Sequence, residues 1–182
     1  MSSARTLLEP RLAEMRRLFD DAFAQPLPEQ GAARQPMLAI VAGGESLAVR
    51  LADIAALATA RGSVVQVPSS VPELIGVTGI RGTLVPVFSL AALLGLERRS
   101  GEARWLLLCN ARQLSLALAF EQFQEHIQVD AADVFAADAA DRMGGYLSQS
   151  VRHGDRLRAL VNVPAIVEHI TGRGVAATAA TK

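Results

Sequence analysis

The sequence predicts a mainly β protein built from two similar units in tandem, and three observations carry that prediction. Three hairpin signals occur between residues 37 and 170: "MLAIVA" and "ESLAV" flank Gly43-Gly44, "WLLLC" and "LSLALAF" flank "NARQ", and "GYLSQSV" and "RLRALVNV" flank "HGD". Short apolar runs broken by turn residues fill the same span, which is the punctuation of strands. Two pairs of segments also match in apolar pattern, "AVRLADI" (48–54) with "ALAFEQF" (117–123) and "LVPVFSLAALL" (84–94) with "LRALVNVPAIV" (157–167). A match of pattern fits an internal duplication and fits chance recurrence of strand–turn motifs equally well.

Before the first unit, Leu8, Leu12, Met15, Phe19 and Phe23 fall at three- and four-residue spacing, with Arg16/Asp20 and Arg17/Asp21 pairs on the other side. That spacing predicts an amphipathic helix, with Pro10 in its first turn, where a missing N–H does no harm. Its face of Leu12, Met15, Phe19 and Phe23 either packs on the β units or receives an extra partner. "QPLPEQGAARQP" (25–36) breaks the helical period and reads as a linker, so residues 1–36 form an extension to a β domain spanning 37–170.

Within that domain Gly43 and Gly44 supply the positive φ angles of a two-residue turn. Residues 74–90, "LIGVTGIRGTLVPVFSL", read as a pair of strands whose glycines, Gly76, Gly79 and Gly82, clear space around the single charge, Arg81. Ser89 and Asn162 occupy the same place in the matched segments, and both are N-cap types for the short helical runs that follow. Cys109 sits in "WLLLC" and reads as a small buried hydrophobe. "DAADVFAADAAD" (130–141) lacks the ligand pattern and glycine of a calcium loop, so a solvated loop with a short helix capped at Asp130 is expected. Residues 171–182, "TGRGVAATAATK", are small and polar and read as a flexible tail.

Composition narrows the chemistry. Of 182 residues, 51% are hydrophobic and 20% charged, with net charge zero and a sequence pI of about 6.8, so the chain buries a real core and advertises no nucleic-acid partner. Charges interrupt the N-terminus where a signal peptide needs an apolar run, and no segment approaches the roughly 18 apolar residues of a membrane span. A cytoplasmic protein without direct membrane insertion is expected. His126, His153 and His169 share no ligand spacing with one another or with Cys109, so no metal is assigned. There is neither a G-x-G nor a P-loop for a nucleotide, nor a G-x-S-x-G elbow. No catalytic residue and no cofactor follow.

Arg81 remains. A guanidinium among apolar residues must reach water, pair with an acid, or wait for a partner, because burying it unpaired costs several kcal/mol. An internal salt bridge, for example to Glu73 or Glu121, and a partner-binding role are both open.

At this segment the chain resembles the CheW family, coupling proteins that join chemoreceptors to the histidine kinase CheA. The resemblance extends from Met37 to about Ile170 and is densest over "VPSSVPELIGVTGIRGTLVPVFSLAALLGL" (67–96). Against the family pattern "G-V-x-N-L-R-G-x-I-V-P-V-x-D-L", Gly76, Val77, Ile80, Arg81, Gly82, Val85, Pro86, Val87 and Leu90 fall in step. The stretches "LALAFEQFQEHIQV" and "RLRALVNVPAIV" resemble later family strands.

The resemblance implies two SH3-like five-stranded barrels packed side by side, with the N-terminal helix as an addition. It implies a non-enzymatic adaptor, cytoplasmic and recruited to receptor arrays, with two partners: the chemoreceptor signalling tip and the regulatory domain of CheA. Carried across, the receptor groove would include Ile54, Arg81, Gly82 and Trp105, although Ile54 also reads as core and Trp105 as cover for the seam between barrels. Gly79 stands where the family usually has Asn, Ser89 where it has Asp, and Ala56 where members carry an acid used toward the kinase. Two other functions stay open: an accessory member of a pilus-motility or other alternative pathway, whose N-terminal helix recruits a different partner, and a small-ligand-binding β-barrel.

Overall fold

A computed structural model describes residues 34–60, 64–96, 103–111, 114–136 and 145–179. The expected N-terminal helix, with Leu12, Met15, Phe19 and Phe23, lies outside the described residues, as does most of the linker.

The first half begins with β1 (Gln35–Ala42) and β2 (Glu45–Arg50), joined through Gly43 and Gly44 at φ 60° and 82°. A 3-10 turn at Leu51–Asp53 leads to β3 (Ala56–Thr59), then β4 (Leu74–Ile80), β5 (Thr83–Ser89) and the one-turn helix α1 (Leu90–Leu93). The second half repeats this order with β6 (Trp105–Ala111), β7 (Leu114–Phe120), β8 (Gln122–Val129), a 3-10 turn at Ala131–Asp133, β9 (Val134–Ala136), β10 (Gln149–His153), β11 (Arg156–Val161) and α2 (Val163–Ala179). The three expected hairpins form, and β4 with β5 makes a fourth.

The protein is mainly β, as expected, but the sheets do not follow the two halves. One has six strands in the order β8-β1-β2-β11-β10-β9 and the other five in the order β3-β6-β7-β5-β4. Each sheet takes the opening hairpin of one half and the remaining strands of the other, joined by parallel pairs, β2 with β11 and β5 with β7. The expectation of five strands in each is corrected by β9, which pairs with β10 over three residues. Its counterpart in the other sheet is only an isolated bridge from Val65 to Val77. Strand β8 also approaches β10, so the six-stranded sheet curls upon itself.

This arrangement explains why the inner strands, such as β1 and β7, read as continuous apolar runs, since both of their faces are largely buried. Leu38, Ile40, Leu47 and Val49 from one sheet meet Leu107, Cys109, Leu116, Leu118 and Phe120 from the other in a central core, closed by Leu90, Leu94, Val163 and Ile166 from the helical ends. The alternate residues fill the inside of each sheet: Met37, Ala39, Ala48, Ile127 and Leu160 in one, Val85, Val87, Leu106, Ala117 and Ala119 in the other.

Both caps form. Ser89 Oγ accepts from Ala92 N at 3.3 Å and Asn162 Oδ1 from Ala165 N at 3.2 Å. Their own amides donate to equivalent places, Glu73 O and Tyr146 O, each at 2.8 Å. At the 3-10 turn after β8, Asp130 is the N-cap residue but makes no side-chain cap bond; its Oδ1 accepts from Arg34 Nε at 3.2 Å instead. Helix α2 runs to Ala179, well into the stretch that composition assigned to a tail. Thr171, at the start of that stretch, is held in the helix by its hydroxyl, which donates to Val167 O at 2.9 Å.

A buried cation does exist, and it is Arg158, 1% exposed. Its Nη2 donates to Glu125 Oε1 at 2.9 Å, while Nε and Nη1 have no partner among the described residues. The internal match explains how it fits. Arg158 takes the place of Val85, Ala39 that of Leu108, and Glu125, opposite Ala39, that of Ala56, opposite Leu108. A small residue, Ala39, thus stands opposite the glutamate that pairs with the arginine.

Candidate interaction surface

Arg81 does not lie within a strand. Ile80 pairs with Thr83, and Arg81 and Gly82 between them have φ 50° and 80°, the two positive angles of a primed hairpin turn that fits the twist of its strands. Arg81 is the only non-glycine residue with positive φ among those described. At the turn its side chain is exposed, so the guanidinium reaches water directly. The ion pairs between described residues are Arg34–Asp130 and Arg158–Glu125, and Arg81 is in neither. Of the acids considered for it, Glu121 accepts from Gly43 N at 2.9 Å through Oε2.

The outer face beside this turn is apolar and open. Leu84 is 74% and Val65 66% exposed. Leu84 pairs with Gly79, and Val77 pairs with Pro86 on one side and Val65 on the other. Strand alternation places these five residues on one face. Further along β5 the same face becomes Phe88, which is buried in the central core. The patch is therefore the exposed end of a stripe that holds the fold together.

Gly76 and Gly79 both lie within β4. At Gly76 a Cβ would lie 2.2 Å from Val65 O, so glycine is needed for close backbone approach. At Gly79 a Cβ would meet nothing within 4 Å.

The residues grouped as one groove come from different strands. Ile54 precedes β3 at one edge of the five-stranded sheet, whereas the Arg81 turn belongs to β4 and β5 at the other. Trp105 pairs with Phe120, beside the end of β5 marked by the Ser89–Ala119 pair and far from the turn. Ile54 and Trp105 are partly buried against the central core, and Trp105 leans on Phe123 with ring centroids 5.8 Å apart.

The Cys109 thiol is pushed up to about 12, first by burial and then by the nearby Asp53 carboxylate. The native thiol therefore stays protonated at pH 8 and is expected to resist iodoacetamide until the chain unfolds. Rapid labelling of folded protein would contradict the burial. Among the described residues no three His, Cys, Asp or Glu side chains gather as metal ligands. A cleft of about 390 Å³ is lined by Arg34, Gln128, Asp130, Asp133, Arg152 and His153; these charged walls do not make the apolar pocket that encloses a small ligand.

The chain matches the family model of the CheW-like domain over residues 36–171. Among solved structures it is similar to the scaffolding protein TtCheW from Thermoanaerobacter tengcongensis, with a TM-score of 0.63 and 14% identity, covering 71% of this chain and 89% of that one. No curated protein matches the sequence.

Proposed function

The chain belongs to the CheW-like domain family, and from that premise we propose that it is a non-enzymatic adaptor coupling chemoreceptors to the histidine kinase CheA. The observation that carries this reading is the open apolar face of Val65, Val77, Leu84 and Pro86 with Arg81 at its rim. Exposed apolar patches rimmed by polar residues mark protein partners, and a helix of the receptor tip has the shape to lie along this one. The kinase regulatory domain is the second partner, engaged through other strand surfaces. No helix among the described residues is long and apolar enough to cross a membrane, and the reading places the protein in the cytoplasm at receptor arrays.

Co-sedimentation with receptor-tip fragments and CheA tests the proposal. The informative variant is Arg81→Asp, because aspartate tolerates the left-handed turn and reverses the charge. Receptor binding is expected to weaken about tenfold at low salt, with a smaller effect at high salt. Unchanged binding would remove Arg81 from the interface, and a wild-type chain that binds neither partner would end the adaptor reading.

A further inference from the structure

Position 79 is a glycine that the chain itself does not require. Its φ lies outside the left-handed region, a Cβ would meet nothing within 4 Å, and glycine inside a strand forgoes both rigidity and packing. The other sheet provides an internal comparison. Matching the turns Arg81-Gly82 and Gly154-Asp155 sets Leu84 against Leu157, Val65 against Phe135 and Gly79 against Arg152. There Arg152 lies over the Phe135 ring, 5.4 Å from its centroid, so the chain covers that ring with its own side chain while Leu157 stays 62% exposed. At the equivalent place beside Val65 it puts none.

We infer that Gly79 is a specificity-determining residue, left bare so that a bulky apolar side chain from a partner helix can sit over Val65, Val77 and Leu84 where Arg152 sits over Phe135. This rests on the adaptor reading above and specifies the chemistry of its partner. The partner is a helix lying on the face, because the edge of β4 is already bridged at its middle, Val77, by Val65, with N···O distances of 2.8 and 2.9 Å, which leaves only short stretches of that edge for an added strand. Arg81 sets the second requirement. It stands two residues from Gly79, exposed at the turn that follows β4, so its guanidinium is free to meet an acid on whatever covers the bare position. The partner therefore carries a large apolar residue and, close to it, a carboxylate.

The test is a binding titration with the receptor-tip fragment, using wild type, Gly79→Ala and Gly79→Val, together with thermal melts. Because valine favours strands and enters open space, its melting temperature is expected to stay level or rise by a few degrees. Binding is expected to weaken at least about tenfold for valine, with a smaller loss for alanine. The alanine variant keeps the test valid if valine disturbs the strand. Folded variants that bind like wild type overturn the role of Gly79 and leave the adaptor reading intact. A wild-type chain that does not bind overturns both.

Discussion

Replacing Glu125 with alanine is expected to destabilise the protein by about 3–5 kcal/mol, roughly 10 °C in melting temperature. The cost comes from what is left behind. Arg158 is 1% exposed, its Nη2 donates to Glu125 Oε1 at 2.9 Å, and Nε and Nη1 already lack a partner among the described residues. Removing the carboxylate leaves a positive charge without its counter-ion inside the curled sheet. The converse substitution separates this from a simple loss of attraction. Arg158→Met keeps most of the volume beside Ala39 and Leu160 and removes the charge, and Glu125, whose side chain is 46% exposed, rehydrates. That variant is expected to be neutral or more stable by about 1–4 kcal/mol. Denaturant melts of the two variants decide the matter, and a Glu125→Ala protein within about 1 kcal/mol of wild type would show that water reaches Arg158.

The sequence revealed local structure better than long-range pairing. Gly43-Gly44 and "HGD" mark their turns because the backbone angles there exclude most residues, and Ser89 and Asn162 mark helix starts because their side chains bond the first free amides. Which strand lies beside which is decided by faces that become apolar only when two halves interlock. Nothing within "QFQEHIQV" states that β8 pairs with β1. Arg81 was misplaced because arginine is an unusual residue at positive φ, although Gly82 after it, between apolar stretches, carried half of a hairpin signal. The burial of Arg158 was also legible in principle: it falls on Val85 in the matched segments, and a core position in one half raises the question of its counterpart. The tail was misread because small residues resemble a disordered composition, while alanine is also the best helix former.

The two glycines of β4 are expected to fail in opposite ways. Gly76→Ala is expected to cost about 2–4 kcal/mol, whereas Gly79→Ala leaves stability unchanged. At Gly76 the added carbon falls 2.2 Å from Val65 O, 2.8 Å from Val65 C and 3.1 Å from Gln66 Cα. All three are backbone atoms, so no rotamer change relieves the clash. The segment at Val65 must move away, and with it go the bonds from Val65 N to Val77 O and from Val77 N to Val65 O, at 2.8 and 2.9 Å. Hydrogen exchange reads this directly: protection at the Val65 and Val77 amides is expected to collapse, while the β1–β2 amides exchange only by global unfolding. Receptor binding should also fall, because Val65 forms one side of the open apolar face. Preserved protection at Val65 and Val77 in the alanine variant would mean that the bridge tolerates a side chain and that Gly76 has no steric role. The pair of variants thus distinguishes a glycine that the fold needs from one that a partner needs, within the same strand and three residues apart.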